Sequence, residues 1–359
     1  MTPNQVTREE RAEHAAAQIA AAQATLLAEV TALRSGEDWR RYLDFQAKLH
    51  SYSPNNVMLI ARQHAQAFAD GLVPSAEPTY VAGFNTWRAL GRSVSKGQHG
   101  YAILAPCRYD RRVAVDPEGR SRSLAKSEVP AEGESVEARK VLAGFRVEHV
   151  FDLSQTTGVE LAEPPRPALL QGEAPPGLGA TVLELIESRG FRVDTVPGAG
   201  AMQGANGQTN WGARTVLVRA DMDDAAMVKT LIHEAAHVIL HEAAPGQYLP
   251  RAAKEVEAES VAYVVAAAHG MATDGYSFPY VAGWAGTDTA KAVAATQGRV
   301  AKAARQIIEA SPAPHLSGGK VPGTDAALAS ARSAKVGLEA RLSPTSAEPV
   351  TREPAGAGL

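Results

Sequence analysis

Residues 231–242 read LIHEAAHVILHE, and the spacing of their histidines and glutamate governs the reading of the whole C-terminal half. On a helix, His233 and His237 stand four apart, so both imidazoles project from one face. Zinc takes nitrogen and oxygen ligands at about 2.0–2.2 Å in tetrahedral geometry, which two histidines one turn apart can satisfy. Glu234 lies between them, placed to take a proton from an activated water and hand it to a leaving amine. Five-residue patterns also arise by chance. Here the flanks are apolar and free of proline, and Leu231, Ile232, Val238, Ile239 and Leu240 would lock such a helix into a core.

A catalytic site needs one more protein ligand. His241 comes another four residues on, but at a rise of about 1.5 Å per residue it sits about 12 Å along the axis from His233. That is too far to share one ion, so His241 is expected as cleft wall or as a hydrogen-bonded helix-end residue. The next helical stretch, AAKEVEAESVAYVVAAAHG (252–270), places Glu255 and Glu259 on one face, with Glu257 about 200° around the axis. Glu255 is the expected third ligand. Glu259 is expected to accept the spare N–H of a ligating histidine and so fix its tautomer. Glu257 as ligand would need a rotated helix, and a solvated acidic face is the competing reading of all three.

Outward from this motif, GATVLELIESRG (179–190) reads as a helix and FRVDTV (191–196) as a strand. NGQTNWGARTVLVRA (206–220) reads as a hairpin, and helices are expected over 223–242 and 252–269. Five prolines between residues 164 and 176 mark a stiff linker, set at 161–176. Before it, residues 8–34 read as one long helix with Ile19, Leu26, Leu27, Val30 and Leu33 as a narrow apolar stripe. Ser35 with Asp38, and Ser53 with Pro54, are start signals for two further helices. YAILAP (101–106) and GFRVEHVFDLSQT (144–156) have strand character, whereas the polar stretch 110–140 reads as a loop or poorly ordered insertion. The last 49 residues hold six Pro and six Gly, so 311–359 is expected as a disordered tail.

Composition narrows the function classes. The chain has 359 residues, 45% hydrophobic and 21% charged, the balance of a soluble globular protein with about two domains. A net charge of −3 gives no global basic field, so any nucleic-acid site must be a local patch. The single cysteine, Cys107, excludes an internal disulfide framework and a Cys-rich zinc finger. The polar start MTPNQVTREERAEH lacks the apolar core of a signal peptide, and no stretch approaches the roughly 20 apolar residues of a membrane span. A cytoplasmic protein without membrane partners is expected.

A local patch does exist. Residues 78–112 carry Arg88, Arg92, Lys96, Arg108, Arg111 and Arg112 against the one acid Asp110, interleaved with Tyr80, Phe84, Trp87, Tyr101 and Tyr109. Cations for phosphates and rings for bases are what single-stranded nucleic acid needs, each stacked base being worth about 1–3 kcal/mol. The competing reading makes Phe84 and Trp87 core residues and the arginines a solvated face.

Two resemblances follow from these residues. HEAAHVILH followed by EVEAESVAYVV resembles the ImmA/IrrE-type metallopeptidase domain, over about residues 177–270, with Glu259 where many relatives carry Asp or Asn. TVLVRADMDD resembles the edge strand that pairs with extended peptide substrates in zinc peptidases of that fold. Tyr263, Tyr276, Tyr280 and His269 are its candidate transition-state stabilisers. YSPNNVMLI, GFNTWRALGRSVSKGQHGYAILAP and GFRVEHVFDLSQT resemble the N-terminal domain of ArdC-type antirestriction proteins, over roughly residues 38–157. Its core pattern falls on Trp87, Leu90, Gly91, Val94, Lys96 and Gly97, with Gln98-His99 where relatives usually have an acid and a lysine.

The resemblances imply an α+β protein: an N-terminal helix (1–34), a helical/β single-stranded DNA-binding domain (35–160), the linker, a zincin-like metallopeptidase domain (177–310) and the tail. They imply an antirestriction role. His233, His237 and Glu255 would hold Zn2+, with Mn2+ or another divalent ion as the alternative, and Glu234 would be catalytic. Tyr52, Asn55, Trp87, Arg88, Arg92, Lys96 and Arg108 would contact DNA. The partners implied are single-stranded DNA, a protein or peptide substrate and components of restriction–modification systems. Two other functions stay open, a non-proteolytic DNA-binding protein with a structural metal and a regulatory protease that cleaves a repressor-like partner.

Overall fold

The computed structural model describes residues 8–33, 35–125, 127–161, 172–202, 204–242, 249–274 and 289–342. Three helices open the chain: α1 (Arg8–Ala32), α2 (Gly36–Lys48) and α3 (Pro54–Ala69). Ser35 and Asp38 form a reciprocal capping box at the start of α2, and the Ser53 hydroxyl accepts from Asn56 N–H to start α3. Within α1, Val30 is buried but Leu27 is 60% exposed, so the apolar stripe is narrower than the sequence implied.

The first sheet is antiparallel with the order β1-β5-β3-β4, built from β1 (Val81–Gly83), β3 (Tyr101–Val115), β4 (Ser121–Ser123) and β5 (Ser135–Asp152). Between β1 and β3 lie α4 (Phe84–Ala89) and β2 (Arg92–Val94), the latter paired with β6 (Thr156–Gly158) in a small ribbon. The stretch expected as a loop over 110–140 is largely strand. β3 and β5 pair from Tyr101↔Val150 out to Val115↔Ser135, a long two-stranded arm with a bulge beside Cys107. The outer half of β5 is exposed on both faces, so it needs few aliphatic residues and mimics a loop in composition, while on β3 only Val113 and Ala114 are buried at the outer end.

The C-terminal half holds α5 (Leu178–Glu187) and a three-stranded sheet ordered β7-β9-β8, from β7 (Arg192–Val196), β8 (Gly207–Asn210) and β9 (Thr215–Arg219). β9 pairs parallel to β7 and antiparallel to β8, so TVLVR is the central strand and β8 is the edge. The expectation of an edge strand immediately before the motif helix is thus corrected, because the hairpin folds β8 back over it. Then come α6 (Asp224–His241), capped by Asp223, α7 (Arg251–Ala268), α8 (Thr289–Ala310) and α9 (Thr324–Leu342).

α7 is buried on nearly every face because α2, α6 and α8 surround it. Its apolar side chains form one core with Trp39, Tyr42, Leu43 and Ala47 of α2 and with Val216 and Val218 of β9. Across the expected division at 160–177, α2 packs with the helices that follow it by two hundred residues, while α3, β1, β3 and β5 hold a cluster of their own. Residues 162–171 of the expected linker lie outside the described residues.

The expected disordered tail is corrected in its first part. Residues 311–323 pack between the halves: Ala313 and Val321 are buried, Leu316 N–H donates to Ala268 O (2.7 Å) and Val81 N–H to Gly319 O (2.9 Å). Gly318 and Gly319 have φ of 66° and 83°, and a Cβ at either would sit 2.7 Å from the His50 ring or 2.5 Å from Leu49. Glycine here serves close approach, which composition alone cannot separate from disorder. Residues 343–359 lie outside the described residues.

Candidate functional sites

The periodicity of α6 puts His233 and His237 on the side facing α7, with Glu234 on the side facing β8. The two Nε2 atoms are 3.2 Å apart. Glu255 reaches both from α7, its Oε2 lying 3.6 Å from His233 Nε2 and 3.5 Å from His237 Nε2. Among the described residues, these three form the one group of His, Cys, Asp or Glu whose ligand atoms all lie within 4.8 Å of one another.

Hydrogen bonding orients the rings. His233 Nδ1 donates to Glu259 Oε2 at 3.1 Å, which leaves its Nε2 lone pair on the side of Glu255. Burial disfavours charge on His233, but Glu255 and Glu259, with the field of Glu234, raise its pKa to about 9. The two histidines hold the Glu255 carboxyl far below the usual carboxylate range despite its partial burial. Two imidazole nitrogens, of which His233 would give up its proton to a bound ion, and an ionised carboxylate pointing at one spot are the donor set of a divalent transition-metal ion. On these donors the residues fit such an ion.

Glu234 is 5% exposed and lies under the edge strand, where Thr209 Oγ1 donates to its Oε2 at 2.6 Å. Gly207 permits this approach: a Cβ there would fall 2.6 Å from Glu234 Oε1 and 2.8 Å from Thr230 Cγ2. A cleft of about 370 Å3 opens beside them, lined by Asn206, Gly207, Lys229, Thr230, His233 and Glu259 among others.

His241 is no ligand, in keeping with its distance along the helix. It contacts His237 instead, Nδ1 to Nδ1 at 2.9 Å, and its Nε2 meets Glu257 Oε2 at 3.1 Å. Glu257 is fully buried and faces away from the three-residue cluster, which removes it as a ligand. Tyr263 is buried, with its hydroxyl donating to Asp44 at 2.6 Å, and His269 is buried against Val265 O and Ser311. Neither lines the cleft, so both are withdrawn as transition-state stabilisers; Tyr276 and Tyr280 lie outside the described residues.

The nucleic-acid candidates divide. Trp87 is fully buried, and its indole N–H donates to Phe151 O at 3.0 Å, so its ring serves the core and stacks on no base. Arg92 spends its guanidinium on Thr156 Oγ1 (2.9 Å), Thr156 O (2.9 Å) and Val159 O, stitching β2 to β6. The Tyr52 hydroxyl is committed to Val81 O at 2.7 Å. Asn55, Arg88, Lys96 and Arg108 are exposed. Exposed rings the candidate set omitted stand nearby in sequence: Phe84 under Arg88, Tyr109 under Arg111 and Phe145 paired across the arm with Pro106. The β3–β5 arm adds Arg139 and Lys140 on its other strand, hidden by reading 110–140 as a loop, and Arg146; Arg139 and Arg146 pair with Glu137 and Glu148.

The chain is thus an α+β protein with a charged, aromatic-bearing β-arm and a helix-borne His/Glu cluster. Residues 10–151 match the family model for the N-terminal domain of anti-restriction factor ArdC. It is similar to an uncharacterized protein of Bacillus anthracis, 24% identical over 283 residues, which are 70% of this chain and 43% of the relative. The chain thus spans less than half the length of that relative.

Two solved structures of the antirestriction protein ArdC from plasmid R388 are also similar. The metal-free one has 19% identity and a TM-score of 0.39, over 72% of this chain and 85% of that one. The Mn(II)-bound one has 18% identity and a TM-score of 0.40, over 73% and 89%. No described helix is long and apolar enough to cross a membrane.

Proposed function

We propose that this chain is an antirestriction-type protein that binds single-stranded DNA through its N-terminal part and hydrolyses a peptide bond at the His233–His237–Glu255 cluster. The observation that carries the hydrolytic half is the convergence of two imidazole Nε2 atoms 3.2 Å apart with Glu255 at 3.5–3.6 Å and Glu234 on the adjoining face. His233, His237 and Glu255 would hold a divalent ion, zinc by donor type, with manganese as the alternative. Such an ion, when bound, acidifies water and polarises a carbonyl.

The protein's own part is proton handling and orientation. Glu234 takes the proton of the attacking water as the new C–O bond forms, and returns it to the amide nitrogen as the C–N bond breaks. Thr209 holds one oxygen of Glu234 by donating to it, which leaves the other for that traffic. β8 presents an unpaired edge to an extended chain lying in the cleft. On the arm, Arg108, Arg111 and Lys140 supply cations and Tyr109 a ring, with Arg88, Phe84 and Lys96 nearer the body.

The test uses the full chain, wild type and Glu234→Gln, with elemental analysis for zinc and manganese and intact-mass detection of cleaved restriction–modification subunits. Stoichiometric metal in both and cleavage by the wild type alone support the reading. Metal-free wild-type protein after incubation with either ion removes the hydrolase. Antirestriction activity that persists in Glu234→Gln assigns protection to DNA binding.

A further inference from the structure

We infer that His241 is a positioning residue: it fixes the tautomer of His237, and buried Glu257 and Arg299 hold it in place to do so. The inference rests on the reading of His233, His237 and Glu255 as a metal set.

The direction of each hydrogen bond follows from its far end. Glu257 is completely buried on α7, and its Oε1 accepts from Arg299 Nε at 2.8 Å, from Arg299 Nη2 and from the Thr296 hydroxyl at 3.1 Å. With a guanidinium against it, Glu257 is an anion and only accepts. Its Oε2, 3.1 Å from His241 Nε2, therefore requires a proton on that nitrogen. A neutral His241 then offers only a lone pair at Nδ1. The His237 Nδ1, 2.9 Å away, must be the donor of that contact. His237 is thereby left with its lone pair on Nε2, the atom that faces His233 and Glu255.

The alternative tautomer would put a proton on His237 Nε2, where it would block the ligand position and set two Nδ1 lone pairs against each other 2.9 Å apart. His241 has both ring nitrogens committed while its side chain is 1% exposed, and the chain of contacts ends on α8, outside the cleft. His233 is oriented by a carboxylate directly; His237 is oriented by a carboxylate acting through a second imidazole.

The experiment compares wild type, His241→Asn and His241→Leu as full-length protein. Asparagine places a carbonyl oxygen where Nδ1 stood but, like leucine, loses the contact to Glu257, so the pair isolates the acceptor. Zn(II) affinity is read by chelator competition, and the ring 15N shifts of His237 are read in metal-free wild-type protein. The expected results are an Nδ1–H tautomer for His237, a loss of affinity of about 10–100-fold in His241→Leu, and recovery of most of it in His241→Asn. Unchanged affinity in a folded His241→Leu, equal loss in both variants, or an Nε2–H tautomer in wild type overturns the inference. Absence of Zn(II) binding by wild type overturns the metal reading beneath it and is seen before any variant is made.

Discussion

Trp39 on α2 donates its indole N–H to the hydroxyl of Ser260 on α7 at 2.9 Å, and both residues are fully buried. Ser260 directly follows Glu259, and Tyr263, one turn on, is tied to Asp44 of α2. The stretch that matches the ArdC N-terminal family model therefore braces the helix that carries Glu255, Glu257 and Glu259. Packing of α2 and geometry of the His/Glu cluster are properties of one core.

Trp39→Phe is expected to keep most of the apolar contact while stranding the Ser260 oxygen, at a cost of about 1–3 kcal/mol. Urea unfolding followed by far-UV circular dichroism should show one transition moved to lower denaturant. Two separate transitions, with only one of them shifted, would contradict a shared core.

Gly207→Ala forces a methyl group toward Glu234 Oε1, where 2.6 Å is available. Either β8 lifts or Glu234 turns away from Thr209, so the proposed hydrolysis should fall by an order of magnitude or more while any bound metal stays near the wild-type level. Overpacking of this kind typically costs about 1–3 kcal/mol of stability. Loss of metal together with activity would place Gly207 in the support of the ligands instead.

Acid sensitivity should trace to His269. Burial, with His315 and His50 close by, outweighs the bond to Val265 O and depresses its pKa from 6.5 to about 4. Between those values the unfolded chain binds a proton that the folded chain refuses, so stability falls as pH drops below about 6.5 and levels off near 4. A depression of this size corresponds to about 3 kcal/mol. Melting temperatures from pH 4 to pH 8 should fall more steeply for wild type than for His269→Gln, and equal slopes would refute the assignment.

On DNA, Arg108→Ala and Lys140→Ala should each weaken oligonucleotide binding and lower the salt slope by about one. Trp87→Ala should instead destabilise the fold by about 3–5 kcal/mol, the cost of emptying a large buried site. A titration in which Trp87→Ala folds normally yet loses single-strand affinity would return that ring to the nucleic-acid surface.

The cluster was legible because helical period and ligand chemistry are both local: His233, His237, Glu255 and Glu259 meet where their spacings place them. The role of His241 was hidden because its contact to Glu257 depends on how α6 crosses α7. Trp87 misled for a related reason, since an indole among arginines reads as a stacking platform until burial is known. The β3–β5 arm and the packed segment 311–323 were missed because alternation fails on a strand exposed on both faces, and glycine used for close approach resembles glycine in a disordered tail.

On α3, Asn56 both donates to and accepts from Leu104 on β3, and Gln63 does the same with Ala102. Two carboxamides on a helix thereby stand in for a neighbouring strand over the inner end of β3. That margin of the sheet offers nothing for a foreign polypeptide to zip onto. The exposed Asn55 and the buried Asn56, adjacent in the chain, thus belong to different economies: one is available to whatever approaches, and the other keeps a hazardous border sealed.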